Sequence, residues 1–438
     1  MSLDNRVTSL PTTTNVPVNR WAHMLRVLSS PVFYALELTP FCDNTCPGCS
    51  NVFVADKYAR KDSSLRSPLS FNEWRIVLDQ LAPKAHRFKL TGGEPTLHPE
   101  FETIIRHIDA LGIPFTLFTN ARWHNPERLL NLLSQLPQFV GFLISLHGAR
   151  AESHEIFTNV PGSFAETVEN IQRATARGFA VTTSTVFTQA NVSELPAIVK
   201  LSLELGAQHV VFNRYLGGEM PNISIPDNDL IRATRLVDQM KTEGKPVKFA
   251  VCVPPCFTWN SSNGCLAGVA YCTIDPWGNL RPCTHSSLVA GNLMTQPLEE
   301  VWQSAEMERF RQVIPQECHS CGAFSSCHGG CKSLAMELGI QHDPLMRNPI
   351  APRDMPPPPK LSLGAQMRPV RRYQIREETF GYILTRGNAV VPVRPAAWQI
   401  LQALNGKMTL LQIKQTFGAE ALSLIGSLYQ HGLIEMRN

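Results

Sequence analysis

No stretch of this chain approaches the ~18 consecutive apolar residues needed to span a bilayer, and residues 1–30 hold no apolar run ahead of a cleavage site. These absences point to a cytoplasmic protein with no membrane partner. A dominant sign of charge is also missing, since Lys+Arg 40 against Asp+Glu 36 leaves +4 over 438 residues. That is too small a bias to hold nucleic acid or anionic lipid along a whole surface. With 17% charged and 43% hydrophobic residues, the chain is not a disordered tail and can bury several cores. Its cysteines are not spread evenly. Of twelve, Cys42, Cys46 and Cys49 form one knot and the other nine fall between Cys252 and Cys331. Short-spaced thiols in a chain without a secretion signal read as metal ligands rather than disulfides.

What is present is a strand–helix alternation. Runs of β-branched and aromatic residues at Val32–Leu38, Phe88–Thr91, Phe115–Thr119, Phe139–Ser145, Ala180–Phe187 and Val210–Arg214 predict six strands. Between and after them, apolar residues at i, i+3 and i+4 predict helices over Phe71–Leu81, Glu100–Leu111, Pro126–Leu136, Phe164–Gly178, Leu195–Gly206 and Asn228–Gly244. Ser70 with Glu73, and Ser163 with Glu166, have the spacing of capping boxes. Repeated βα units require parallel strands with right-handed crossovers, hence an α/β fold, a partial (βα)6 TIM-like barrel over residues 31–246 after an extension at 1–30. Such a barrel places its chemistry at the strand C-termini. There stand the Cys42 knot after the first strand, Gly92–Gly93–Glu94–Pro95 after the second, Asn120 after the third and Ser145–Leu146–His147–Gly148 after the fourth.

The spacing C-x3-C-x2-C on one loop supplies three thiolates to one face. A tetrahedral zinc would want a fourth ligand, whereas a [4Fe–4S] cluster held by three cysteines leaves one iron open. On the first loop of a βα barrel, followed by Gly92–Gly93–Glu94–Pro95 on the second, this motif resembles that of radical S-adenosylmethionine (SAM) enzymes. The resemblance implies SAM as a cofactor, its amino and carboxylate groups chelating the free iron of a [4Fe–4S] cluster. It further implies that Gly92 and Gly93 let the methionyl end approach, that Glu94 adds a charge-assisted contact, that Ser145 meets the ribose, and that Asn213 or Arg214 meets the nucleoside or the carboxylate. Two positions depart from the family pattern. Gly48 stands where an aromatic residue is common, and Thr158 where an arginine is common.

Residues 247–350 change to Cys, Gly and short segments, the composition of a small domain held by metal rather than by a large apolar core. Cys265, the run Gly278–Asn279–Leu280–Arg281–Pro282–Cys283, and Cys318, Cys321, Cys327 and Cys331 resemble the SPASM domain of peptide-modifying radical SAM enzymes. That resemblance implies one or two auxiliary iron–sulfur clusters, one held by Cys256, Cys265, Cys283 and Cys331, the other by Cys318, Cys321 and Cys327. Its pattern wants a further cysteine downstream and the chain has none, so Asp343, ahead of His342 and Met346, is the first candidate for the missing ligand. Cys252 and Cys272 are surplus, as alternates or plain buried thiols. Paired structural zincs could use the same thiols.

A proline run, Pro356 to Pro359, within residues 351–367 predicts a stiff spacer. Beyond it, residues 368–438 read as three strands (near Tyr373–Arg376, Gly381–Thr385 and Ala389–Pro392), three helices (Ala396–Leu404, Leu410–Phe417, Ala419–His431) and a last strand, Leu433–Met436. The segments Pro395–Ala396–Ala397–Trp398, Leu404–Asn405–Gly406 and Gly432–Leu433–Ile434 resemble the PqqD-like winged-helix domain that grips precursor leaders. DNA binding would need a basic recognition helix, and Ala419–His431 holds no Lys or Arg. A peptide adding as a strand near Tyr373–Arg376, beside Arg371, Arg372 and Arg376, suits an acidic leader.

The expected function is radical SAM crosslinking or oxidation of a ribosomally made precursor peptide, with that peptide and a flavodoxin or ferredoxin reductant as partners. Maturation of a protein or cofactor, as sulfatase maturases do, and a non-catalytic iron–sulfur regulator are the alternatives.

Overall fold

The computed structural model describes residues 26–49, 52, 67–250, 253–257, 264–348, 350–354 and 361–437. The expectations for residues 1–25, for Cys252 and for the proline run lie outside these.

The chain divides into two compact units, one ending at Arg353 and one beginning at Asp354. The first is built on one sheet. Strands β1 (Phe33–Glu37), β2 (Arg87–Thr91), β3 (Phe115–Thr119), β4 (Phe139–Ser145), β5 (Val181–Val186), β6 (His209–Asn213) and β7 (Val247–Phe249) run parallel in chain order. All six expected strands form, within two residues at each end. The expected helices form as well, the first over Phe71–Leu81. Its N-terminus is fixed as expected, with the Glu73 carboxylate accepting from the Ser70 N–H and hydroxyl at 2.8 Å each. At Ser163 the capping box does not form. Gly162, at φ 83°, caps that helix, and the Ser163 hydroxyl pairs instead with Thr158 Oγ1 at 2.7 Å.

Two boundaries differ from expectation. The barrel continues past residue 246, because Val247 and Phe249 are buried and pair with β6. The cysteine-rich segment is not an independent metal-held domain either. Its strand β8 (Tyr271–Ile274) lies parallel to β1 and carries β9 (Asn279–Arg281) and β10 (Gly291–Asn292) antiparallel beyond it. Cys272, Ile274, Leu280, Leu298, Val301 and Trp302 join the same apolar core as Leu36, Phe88 and Ile144. A salt bridge with both side chains buried locks this join, between Arg281 of β9 and Glu37 of β1.

Side chains alternate across a strand, so the two faces of the sheet read separately. Tyr34, Leu36, Phe88, Leu90, Phe115, Leu117, Phe142 and Ile144 pack into the core. The alternate set, including Lys89, Thr91, Thr116, Phe118, Ser145 and Asn213, is only partly covered. The second face mixes polar residues with apolar ones such as Phe33, Ala35 and Phe118, and is buried along β1 and partly covered along β2 to β4.

The second unit has its own core around Leu384, Leu401, Ile413, Ile425 and Leu428. Strands β12 (Gln374–Glu378), β13 (Gly381–Arg386) and β14 (Ala389–Val393) form a meander. The helices Trp398–Ala403, Leu410–Phe417 and Ala419–Gln430 follow. The final strand β15 (Ile434–Arg437) pairs with β11 (Arg368–Arg371), which sequence reading passed over.

Candidate iron–sulfur and cofactor site

The first cysteine knot sits where β1 gives way to a loop that clasps the loop after β2. Gly93 N–H donates to Thr39 O and Glu94 N–H to Phe41 O, both at 2.7 Å. A Cβ on Gly93 would stand 2.1 Å from Phe41 O, and one on Gly92, at φ +144°, 2.5 Å from Thr39 O. Glycine is required at both positions, but the space it leaves is filled by the backbone of the cysteine loop.

Side chains from β3 and beyond complete the clasp. Asn120 Nδ2 donates to Asp43 Oδ1 at 2.6 Å and lies 3.8 Å from Cys42 Sγ. Arg122 Nη1 donates to Asp43 O and Asn44 Oδ1, both at 2.9 Å, while its Nε donates to Glu166 at 3.0 Å. Thr45 N–H donates to Thr158 O at 3.1 Å, tying the loop to the helix Ala151–Thr158. Glu94 is fully buried, and its carboxylate accepts from Thr119 Oγ1, Asn120 N–H and Thr96 Oγ1 at 3.0, 2.9 and 2.7 Å. Burial pushes its pKa up to about 7 against the pull of these donors. Beside Gly48, where the family pattern favours an aromatic ring, Phe157, Ile223 and Tyr215 close in from other elements. Burial, Glu94, Asp43 and Cys49 push Cys42 up to about 12, and burial with Cys49 and Cys42 raises Cys46 well above its ordinary value. A metal cluster removes that repulsion by replacing the protons.

Ser145, at the end of β4, pairs in register with Ser184. The Ser184 hydroxyl accepts from Asn213 Nδ2 at 2.9 Å, so Ser145 and Asn213 meet on one polar patch of the inner face. Arg214 leaves that patch. Its guanidinium forks onto Asp343, Nη1 to Oδ1 at 2.7 Å and Nη2 to Oδ2 at 2.5 Å, both side chains being buried. Asp343 also accepts from Cys331 N–H at 2.7 Å and Leu345 N–H at 3.0 Å.

This placement corrects two expectations. With both oxygens engaged by Arg214 and two backbone donors, Asp343 is a bracket beneath Cys331, not a ligand for Cys318, Cys321 and Cys327. The cysteine brought beside that trio is Cys256. A cavity of about 210 Å³ is lined by Cys256, Cys318, Cys321 and Cys327, with His342 and Met346 beside them. Arg347 N–H donates to Cys256 Sγ at 3.3 Å and Ile350 N–H to Cys321 Sγ at 3.4 Å. The Cys318 thiol is pushed up to about 12 by burial and by Cys327, Cys321 and Cys256. Cys265, Cys283 and Cys331 form the other group, three thiols among the described residues. Burial with Cys265 and Cys331 pushes Cys283 up to about 12, and its Sγ lies 2.8 Å from Ser333 Oγ. Cys272 is a plain core thiol.

Among the described residues no three His, Cys, Asp or Glu side chains are drawn in tightly enough to enclose a single ion. Thiol-only donor sets of three, three and four fit iron–sulfur clusters.

Sequence reading missed Asp43, Asn120 and Arg122 as loop fasteners and the pairing partners of Arg214 and Arg281. Asn120 is signalled by its place at a strand end; the others act across gaps no local pattern spans.

A model of the radical SAM superfamily matches residues 36–202, and one of the SPASM iron–sulfur cluster-binding domain matches residues 265–323. An AdoMet-dependent heme synthase from Methanosarcina barkeri is 27% identical over 340 residues, covering 71% of this chain and 94% of its own. The mycofactocin maturase MftC of Mycobacterium tuberculosis is 28% identical over 339 residues, covering 73% and 82%. Among solved structures, Streptococcus suis SuiB bound to precursor peptide SuiA superposes with a TM-score of 0.61 at 17% identity, covering 73% of this chain and 77% of SuiB. The chain carries a radical SAM domain and a SPASM domain on an α/β parallel-sheet fold, and its cofactors are SAM, a [4Fe–4S] cluster and auxiliary iron–sulfur clusters.

Proposed function

We propose that this chain is a radical SAM enzyme that crosslinks or oxidises a precursor peptide. The observation that carries the proposal is the clasp of the Cys42–Cys46–Cys49 loop against Gly92–Gly93–Glu94, at the C-terminal rim of a parallel sheet. When bound, the [4Fe–4S] cluster and SAM supply one-electron cleavage of SAM to methionine and a 5′-deoxyadenosyl radical that removes hydrogen from an unactivated carbon.

The protein's part is holding and enclosing. Cys42, Cys46 and Cys49 hold the cluster and leave one iron for SAM. Asp43, Asn120 and Arg122 fix the loop's height. Gly92 and Gly93 let the cysteine loop close onto the loop after β2 beside the place where SAM would bind, and Glu94 acts through Thr119 and Asn120 as a positioning residue. Ser145 and Asn213 face the ribose and nucleoside, while Arg214, already paired with Asp343, positions Cys331. Cys256, Cys318, Cys321 and Cys327 hold one auxiliary cluster, and Cys265, Cys283 and Cys331 the other. The unit from Asp354 onward is a PqqD-like winged helix that grips the leader, and a flavodoxin or ferredoxin delivers the electron.

MftC, named a mycofactocin maturase, and SuiB, solved with a precursor peptide, support a peptide substrate. The heme synthase relative supports a second reading, modification of a non-peptide cofactor precursor. Anaerobic reconstitution with dithionite and SAM, with the peptide from a neighbouring short reading frame, tests both. The first reading predicts 5′-deoxyadenosine together with a mass change in the peptide; 5′-deoxyadenosine without any change in the peptide favours the second.

A further inference from the structure

Most charged groups behind the site are already matched. Glu37 faces Arg281 and Arg214 faces Asp343. Lys89 is the exception. It lies on β2, two residues before Thr91 on the same inward face, below the Gly92–Gly93 turn. No acidic side chain of the described residues pairs with it. Its ammonium instead lies 5.0 Å from the Tyr271 ring centroid, 5.9 Å from that of Phe33 and 6.0 Å from that of Phe118. All three rings come from strands flanking the lumen, β8, β1 and β3. The Tyr271 hydroxyl is held by Thr273 Oγ1 at 3.2 Å. Lys89 therefore sits among three rings on the inner face of the sheet, from β8, β1 and β3.

Burial, with repulsion from Arg87, pushes the Lys89 pKa down to about 8. A cation kept in such a place without an anion costs stability, and methionine or leucine would fill the same aromatic cage without that cost. The charge is useful only if a ligand completes the pair. Its shape says which anion. The ammonium is walled by three rings, with Arg87 two residues earlier on β2 as the neighbouring cation and no helix N-terminus of the described residues beside it, a setting that matches a single carboxylate flanked by carbon.

We propose that Lys89 anchors a carboxylate of the substrate, so that the part of the peptide presented to the radical carries an acidic side chain or the chain's C-terminal carboxylate. This deepens the proposed function and rests on that reading of the barrel as the reaction chamber.

The test uses the holoenzyme reconstituted anaerobically with SAM. Pulses of acetic anhydride, followed by proteolysis and mass spectrometry, read the acetylation rate of Lys89 against exposed Lys200. The competitors are N-acetyltyrosine and its amide for a C-terminal carboxylate, and N-acetylglutamate α-amide and N-acetylglutamine α-amide for an acidic side chain. At about ten times its dissociation constant, a carboxylate competitor should slow Lys89 acetylation roughly tenfold while its amide partner does not. Whichever acid protects at the lower concentration identifies the source. Calorimetric titration should show Lys89→Arg keeping the preference for acid over amide and Lys89→Met binding the two alike. The inference is overturned if Lys89 resists acetylation, if acid and amide protect equally, or if SAM alone protects, which would make Lys89 a cofactor contact. Measuring 5′-deoxyadenosine in the same sample keeps this outcome apart from failure of the functional reading.

Discussion

Gly93 illustrates how little freedom single residues have at this site. A methyl group there would stand 2.1 Å from Phe41 O, backbone against backbone, so Gly93→Ala has to lift the cysteine loop. The variant should lose the iron bound by Cys42, Cys46 and Cys49 while the auxiliary iron stays, as read by iron content and low-temperature EPR; full loading would show that the clasp is dispensable. His154 makes a second prediction. Burial pushes its pKa down to about 4, and its Nδ1 accepts from His147 N–H at 3.1 Å. The native state thus disfavours protonation that the unfolded chain accepts below about 6.5, so the stabilisation is complete above that pH and is lost as pH falls toward 4. The loss amounts to roughly 3 kcal/mol at most. Urea unfolding between pH 6.5 and 4.5 should show this slope flattened in His154→Gln, and an unchanged slope would assign the acid sensitivity elsewhere. At this scale the glycines and cysteines are legible in the sequence because each has a chemistry no other residue supplies. Asp43 and Arg122 are not, because ordinary polar residues acquire their roles only when β3 is laid beside the cysteine loop.

Elements were legible where their periodicity was long. The six βα units show it, and each strand carries its signal across its whole length. The strand Val247–Phe249 and the helix Ala151–Thr158 escaped because three residues define no alternation and the helix's segment AESHEIFT is only weakly amphipathic. Sequence order also misleads about which elements meet. Cys256 precedes Cys265 and reads as its partner, yet the fold brings it to Cys318, Cys321 and Cys327. Cys256→Ala should therefore perturb the cluster of that trio in Mössbauer and EPR spectra and leave the cluster of Cys265, Cys283 and Cys331 untouched. The opposite pattern would restore the sequence-based grouping. The join of β1 and β9 gives a further measurement. Arg281→Met leaves Glu37 buried without its cation, at a cost of about 3–5 kcal/mol in urea unfolding. Since burial already holds Glu37 at about 7, the double variant with Glu37→Gln should recover part of that loss.

At the scale of the molecule, two units with separate cores divide the work. The barrel and the cysteine-rich segment share one sheet and one core, so they should unfold together, a coupling that composition hides because cysteine and glycine dominate the segment's sequence. The second unit contributes none of the thiols. Removing residues 361–438 should leave 5′-deoxyadenosine formation intact and abolish modification of a leader-bearing peptide; unimpaired modification would remove the leader-gripping role.

The most direct test is 5′-deoxyadenosine, quantified by mass spectrometry after anaerobic incubation of the reconstituted protein with SAM and dithionite. The account predicts its formation by the native chain and its loss in Cys42→Ala, Cys46→Ala and Cys49→Ala, each retaining auxiliary iron. A fully iron-loaded native protein that yields none, or a triple variant that yields as much, would contradict it.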